Sequence, residues 1–339
     1  MKEKILVIRF SSFGDIVQCM GALSVVKSLY PNSEIHWITK GDFVSLLELH
    51  PDIEKVWSIQ KGEGLLDLIK LGVKLNKEGY TLFYDAHLNL RSKVLKFILF
   101  PFWRAFFSIF NKRVVWISRS KSRLKRLLLF TFGVNLFERP FKGALSYQKP
   151  FLKLKKFPLK FKKREWIFNQ DNILKVLPFL FEGEEPFIAL APSAAWEMKR
   201  WPLDYWKKTI ELCPKTKFII LGGPGDHFCQ ELEDFDPERV RNLAGKLNLV
   251  DSSFVVSRSE MLISADTGLL HVADQMGKKA IALIGPTAFG YPSGPWVKVL
   301  EVGLDCRPCT KDGRGYCKNK VYQSCLIQIK PEFVSQNII

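Results

Sequence analysis

The order of apolar and polar positions divides the chain into short strands alternating with amphipathic helices. "KILVIRF" (4–10) is a continuous apolar run of strand length, as in a parallel strand covered on both faces. The turn "SSFGD" follows, and "IVQCMGALSVVKSLYP" (16–31) then repeats apolar residues at helical spacing until Pro31 stops it. "EIHWITK", "KVWSI" and "YTLFYDAH" read as three further strands, with "FVSLLELHP" and "GLLDLIKLGVKLNKEG" as the helices between them. After a Lys- and Pro-containing stretch at 152–166 the pattern restarts. "PFIALAPS", "KFIILGGPGD", "MLISADTG" and "KAIALIGPT" are strands that run into turns, and "LDYWKKTIELCP" and "LLHVADQMG" are helices. Repeated βα units predict a doubly wound parallel sheet. Two such runs predict an α/β chain of GT-B type, with two Rossmann-like domains facing across a cleft. The expected domains are 1–165, carrying an insertion at about 94–165, and 166–339. Neither run has G-x-G-x-x-G after its first strand, which argues against a dinucleotide-dependent oxidoreductase.

Charge sharpens this picture. The chain has 51 Lys and Arg against 34 Asp and Glu, a net +17. Residues 86–164 hold 21 Lys and Arg and one acid, Glu138, so that stretch carries +20 and the rest sums to −3. A partner rich in phosphate or carboxylate follows: nucleic acid, an anionic membrane surface or an anionic glycolipid. A merely solvated basic face is the plainer alternative, weakened by the large apolar residues in the same stretch. "VLKFILFPFWRAFFSIF" (94–110) is broken by Lys96, Pro101 and Arg104, too often to span a bilayer. It reads either as a segment lying in a membrane interface or as a buried helix pair. "MKEKILVIRF" is too short an apolar patch for a signal peptide, and seven cysteines, an odd number, suit a reducing compartment. The expected location is cytoplasmic.

Four turns fall at the carboxyl ends of expected strands, where open α/β sheets hold ligands. In "SSFGD", Gly14 allows close backbone approach beside Ser11 and Ser12, and Asp15 is either an N-cap or a general base. "APSAAWEMKRWP" (191–202) ends a strand in small residues, Ser193 and Ala194 among them, and leaves Lys199 either solvated or aimed at a phosphate. In "GGPGD", Asp226 either accepts from ribose hydroxyls or belongs to a plain loop. "SADTGLLHVA" sets Asp266, Thr267 and Gly268 at a helix start with His271 one turn in: an anion site or an ordinary cap. Near the end, Cys306, Cys309, Cys317 and Cys325 are spaced C-x2-C-x7-C-x7-C. They suit a structural zinc, an iron–sulfur cluster, or free or disulfide-bonded thiols.

"ILVIRFSSFGDIVQCMGALSVVKSLYPNSEIHWIT", "PSAAWEMKRWP", "LGGPGD", "NLAGK", "DTGLLHVADQMGKKAIALIGPT" and "CRPC" occur in that order. In this the chain resembles the heptosyltransferases of lipopolysaccharide assembly, the ADP-heptose-dependent glycosyltransferases of GT-B fold. The resemblance spans nearly the whole chain apart from roughly 94–165, and the D-T-G motif is its most specific part. It implies transfer of heptose from ADP-heptose to an inner-core acceptor, with no cofactor; a single displacement inverts the anomeric centre, and with no Asp-x-Asp motif marking a metal site the transfer is expected to be metal-independent. Donor binding falls to the C-terminal domain and acceptor binding mainly to the N-terminal one. Asp15 is then the base, and Lys199 contacts the donor diphosphate. Asp266, Thr267 and Gly268 hold diphosphate and sugar, His271 matches the motif's histidine, and the backbone at Leu247 lines the nucleobase. Asn89 and Arg91 of "HLNLRS" join Ser11, Ser12 and Gly14 on the acceptor side. The implied partners are a nucleotide-sugar, an anionic glycolipid and the inner face of the cytoplasmic membrane, with no nucleic acid.

Two departures stand out: Met20 and Gly21 occupy positions where proline is usual, and the 94–165 region is unusually apolar and basic, which leaves the acceptor's identity open. The competing readings are a relative using another nucleotide-sugar and a nucleic-acid-binding protein using the basic stretch. The chemistry fits transfer. A neutral sugar hydroxyl needs a base, and a departing diphosphate needs counter-charge. Lys199 and Arg200 supply that charge, while Trp201 packs.

Overall fold

The run 4–10 forms β1 (Lys4–Ile8), buried at every position from Ile5 on, as a strand with helices on both faces must be. A computed structural model describes residues 3–101, 114–182 and 185–338. β1 pairs in parallel with β2 (Glu34–Lys40) and β4 (Leu82–Asp85), while β3 (Lys55–Ile59) and β5 (Val115–Ser118) close the two edges. The order β3-β2-β1-β4-β5 reverses direction between β1 and β4.

A second parallel sheet holds β6 (Phe187–Ala191), β7 (Lys217–Ile220), β8 (Val240–Asn242), β9 (Met261–Ala265), β10 (Ala280–Leu283) and β11 (Val297–Leu300). Its order is β11-β10-β9-β6-β7-β8, so the reversal lies between β6 and β9. Both sheets have the Rossmann strand order, and a crevice opens at the carboxyl ends of strands where that order turns.

The chain forms two compact units, each with its own core. One comprises the chain up to Ser122 and Ala144–Ile167; the other, Arg123–Gly143 and the chain from Phe168 on. Leu6, Ile8, Ile38, Phe83 and Leu95 meet in the first core; Ile188, Leu190, Trp206, Ile263 and Leu326 meet in the second. The chain thus passes between the two units at three points, where the sequence predicts one boundary near 165. Residues 123–143, assigned to the N-terminal insertion, join the second unit because their aromatic rings find partners there. Phe137 and Phe141 stand edge-on to Phe289 at 5.1 and 4.9 Å, and Phe130 at 6.1 Å. The Arg126 guanidinium lies 4.5 Å from the same ring's centre.

The helix expected over 16–31 is two helices, Phe13–Met20 and Leu23–Leu29. The break follows a tie to another element: the Gly21 carbonyl accepts from the Gln148 side chain at 2.9 Å and from the Ser24 hydroxyl at 3.2 Å. Of the apolar stretch 94–110, residues 102–110 lie outside the described part. The helix Leu90–Leu99 that enters it buries Leu95 and Leu99 and exposes Phe97. Among the described residues no helix is long and apolar enough to cross a membrane.

Candidate active site

Asp15 sits at the reversal point of the first sheet. The chain leaves β1 through Arg9, Phe10 and Ser11 and enters the helix Phe13–Met20, whose first turn holds Asp15. Ser12 occupies the N-cap position, so Asp15 is not the cap; instead the Ser12 hydroxyl donates to its carboxylate at 3.0 Å. The Arg9 guanidinium lies 2.6 Å from the same oxygen, Oδ2. The Tyr147 hydroxyl donates to Oδ1 at 3.1 Å. Arg9 is fixed in turn by its bond to the Ala86 carbonyl beyond β4, 2.9 Å away.

Burial pulls the Asp15 carboxyl upward, but Arg9, the Ser12 hydroxyl, Arg119 and Tyr147 together hold it below the usual carboxylate range. Its side chain is nevertheless 42% exposed, so a substrate hydroxyl can reach it. Tyr147 is shaped for this contact. Its carbonyl accepts from the Tyr84 hydroxyl at 2.7 Å, and the Arg119 guanidinium covers its ring at 3.9 Å. His87, next to the crevice, accepts from the Phe10 amide on Nδ1 at 3.1 Å. Burial, then the nearby Arg9, pushes its pKa down to about 4, so it is neutral.

Of the acceptor-side candidates, Ser11, Ser12 and Gly14 belong to the turn that carries Asp15. Ser11 and Gly14 are half-buried and Ser12 is exposed. Asn89 caps the helix Leu90–Leu99, its Oδ1 accepting from the Ser92 amide at 2.9 Å, and Arg91 is exposed on that helix.

The second cluster sits where β6 and β9 diverge. After β6 the chain passes through Pro192, half-buried Ser193 and buried Ala194 to the short turn Glu197–Lys199. The Lys199 ammonium donates to the Asp266 carbonyl at 2.5 Å and lies 3.6 Å from the Asp266 carboxylate. His271 Nε2 stands 3.8 Å from the other carboxylate oxygen. Burial raises the Asp266 carboxyl, but Lys199 first and His271 next bring it below its ordinary value. Thr267 is the N-cap of the helix Gly268–Met276, yet its hydroxyl pairs with Ser264 at 2.9 Å rather than with the helix amides.

Two glycines shape this cluster. A Cβ at Gly290 would fall 2.0 Å from the Asp266 carboxyl carbon. Gly313, at φ +97°, lies in the left-handed region and would place a Cβ 2.7 Å from Lys199 Cγ.

The remaining donor candidates form a neighbouring turn pair. Asp226 accepts from the Gly223 amide at 2.6 Å and meets Arg200 at 3.6 Å, so its carboxylate closes its own turn. Half-buried Leu247 follows Gly245, whose amide donates to the Gly222 carbonyl at 3.1 Å, tying the two turns together. Trp201 is buried, its indole N–H shared between the Leu326 and Ile329 carbonyls.

Cys306, Cys309, Cys317 and Cys325 are free. Among the described residues no group of three or more His, Cys, Asp or Glu has the geometry to hold a metal, although Cys309 lies within electrostatic range of Cys306 and Cys317, and Cys325 within range of all three. Cys325 faces the core beside Leu326, and burial pushes its thiol up to about 11. One Asp-x-Asp triplet exists, Asp234 to Asp236. It ends a helix, with Asp236 paired to Arg239 and Asp234 accepting from Gln230.

Arg9, Tyr147, Arg119 and His87 escape the sequence reading. Arg9 leaves a trace, as the lone charge at the end of an apolar run. Tyr147 and Arg119 leave none, since they sit in a basic stretch with no motif.

Two parallel sheets of Rossmann order, each with a charged cluster where its strand order reverses, give the chain the architecture of the GT-B class. Residues 69–323 match the model of glycosyltransferase family 9 (heptosyltransferase), and the chain belongs to that family. It is a glycosyltransferase, a heptosyltransferase. Lipooligosaccharide heptosyltransferase 2 of Haemophilus influenzae is similar, 26% identical over 98% of this chain and 98% of its own. The fold matches the solved structure of E. coli ADP-heptose lps heptosyltransferase II, with a TM-score of 0.72 at 20% identity, over 100% and 97% of the two chains. It also matches E. coli heptosyltransferase WaaC with ADP-2-deoxy-2-fluoro heptose, with a TM-score of 0.67 at 16% identity, over 99% and 98%.

Proposed function

We propose that this heptosyltransferase moves heptose from ADP-heptose to an anionic inner-core glycolipid of lipopolysaccharide, at the inner face of the cytoplasmic membrane. The observation that carries the donor side is the meeting of Lys199, Asp266 and His271 beside an uncapped helix start, where β6 and β9 diverge. An ammonium has three donors. One is used on the Asp266 carbonyl, and the others can meet a diphosphate. The helix N-terminus adds exposed amides and a positive dipole end. The relatives' names, with ADP-heptose and a fluorinated analogue among them, support this donor.

On the acceptor side Asp15 accepts the proton of the attacking hydroxyl, while Arg9 and Tyr147 keep its carboxylate oriented. Direct attack on the anomeric carbon by that hydroxyl expels the nucleoside diphosphate and inverts the configuration. As the C–O bond breaks, negative charge grows on the diphosphate, and Lys199 and the helix start stabilise it more than in the ground state. Protein cations fill the counter-charge role, so the transfer is proposed to run without metal.

The test is incubation with ADP-heptose and a panel of truncated core glycolipids, with wild type beside Asp15→Asn and with a chelator in parallel. Product of inverted anomeric configuration from wild type, insensitive to chelator, and almost none from the variant supports the reading. Equal turnover by both removes Asp15 from the mechanism.

A further inference from the structure

We propose that the helix Arg123–Phe132 and the turn after it form a docking surface for an anionic lipid bilayer. The inference deepens the membrane part of the reading above.

This helix has two apolar faces. One packs inward: Leu129 is buried, and Arg126 and Phe130 close on Phe289. The other is left uncovered among the described residues. At ~100° per residue, Leu124 and Leu127 lie on one side with Phe132 near the edge. They are 69%, 54% and 67% exposed. The following turn adds Val134 and Leu136, both also exposed. Arg123 and Lys125, exposed as well, lie about 100° to either side of Leu124 and so border the apolar stripe. A recess of about 390 Å³, lined in part by Leu129, Phe137, Phe141, Phe289 and Leu304, continues the apolar surface inward.

Single exposed apolar residues need no explanation, but five large ones within thirteen positions form a patch that water does not favour. Charge selects the occupant. Between residues 114 and 137 no acidic residue occurs. A second copy of this face would set cation against cation. A bilayer with anionic headgroups takes up Leu124, Leu127 and Phe132 at the acyl boundary and pairs Arg123 and Lys125 with phosphate.

The test is co-sedimentation of the full chain with vesicles of phosphatidylcholine alone and of phosphatidylcholine mixed with phosphatidylglycerol. Two variants accompany wild type: Leu124→Ser/Leu127→Ser/Phe132→Ser and Arg123→Glu/Lys125→Glu. Wild type should bind the mixed vesicles, more weakly at high salt, and each variant should lose at least about tenfold in partitioning. Melting temperature and transfer to a delipidated sugar acceptor should stay at the wild-type level. Wild type that ignores vesicles, or variants that bind as well as wild type, overturn the proposal. So does sedimentation velocity showing a wild-type dimer that the triple variant loses in place of any lipid binding. Transfer to the delipidated acceptor reads the donor and base assignments separately, so the two proposals fail independently.

Discussion

The guanidinium of Arg9 lies 2.6 Å from the carboxylate of Asp15, with the cation buried and the anion open to solvent. This asymmetry has a chemical consequence. The buried partner fixes position and charge, and the exposed one keeps lone pairs for a substrate. A carboxylate held below its usual range is a modest base, but it is in the proton-accepting form throughout the neutral range.

Replacing Arg9 by Met should therefore move the acidic limb of the kcat/KM profile to higher pH, because burial would then be opposed only by Ser12, Arg119 and Tyr147. The sign for stability follows. The lowered folded value means that Asp15 contributes stability above the ordinary carboxylate range and loses it as pH falls through the lowered one. Asp15→Asn should cost on the order of 10²–10⁴ in kcat. A pH–rate series on both variants checks this; an unmoved acidic limb in the Arg9 variant counts against the pairing.

Tyr147→Phe removes one donor to the Asp15 carboxylate and leaves the ring under Arg119 in place. A hydrogen bond to a charged group contributes about 1.5–3 kcal/mol to stability, so the melting temperature should fall, and kcat/KM should fall as the carboxylate loses an orienting partner. Steady-state kinetics and a thermal melt separate the two effects.

Lys199→Met leaves the Asp266 carboxylate without its closest cation and the donor diphosphate without an ammonium. Donor KM should rise and kcat fall together. Because the two side chains are in contact, Lys199→Met with Asp266→Asn should lose less than the sum of the single losses, by about 0.5–3 kcal/mol. Calorimetric titration of the donor into the four proteins measures that coupling, and strict additivity would contradict it.

Gly290→Ala places a methyl where the Asp266 carboxyl now stands, 2.0 Å from its carbon. The carboxylate must shift, so donor affinity should fall while binding of a truncated acceptor is kept. Equal donor affinity in the variant would show that Asp266 does not need its present position.

Asp274 is a buried carboxyl whose pKa burial raises to about 6, against the Ser293 and Gly294 amides that it accepts from at 2.7 and 2.8 Å. The folded chain holds this proton more tightly than the unfolded one. Stability should accordingly fall as pH rises from about 4 to about 6, at up to about 1.4 kcal/mol per pH unit from this group. Asp274→Asn should flatten that slope in denaturant titrations across the interval.

Much of the two sheets was legible in the apolar runs, and the reason is burial. β1, β6 and β10 are covered on both faces and appear as continuous hydrophobic stretches, while β2 is as buried but carries His36 and Thr39 among its apolar residues. The strands that escaped, β5, β8 and β11, all lie at sheet edges, are three or four residues long, and mix buried with half-exposed positions. Such segments bury too little to leave a pattern. Within the second cluster, Lys199 and Asp266 stand in turns that follow strands, and His271 lies one turn into the helix after β9, positions that the apolar runs mark out. Tyr147 and Arg119 were not, since they reach Asp15 from a segment more than a hundred residues along the chain. The turn acids illustrate the limit of motif reading. Asp226 has the place of a ligand contact, yet its carboxylate is engaged by Gly223 and Arg200.

The backbone changes units three times, after Ser122, after Gly143 and after Ile167. A fragment ending near residue 165 would carry Phe137 and Phe141 with no Phe289 to receive them, and the complementary fragment would leave Phe289 bare. Neither piece should therefore express well alone. Hybrids that trade lobes with a relative need three matched junctions rather than one splice.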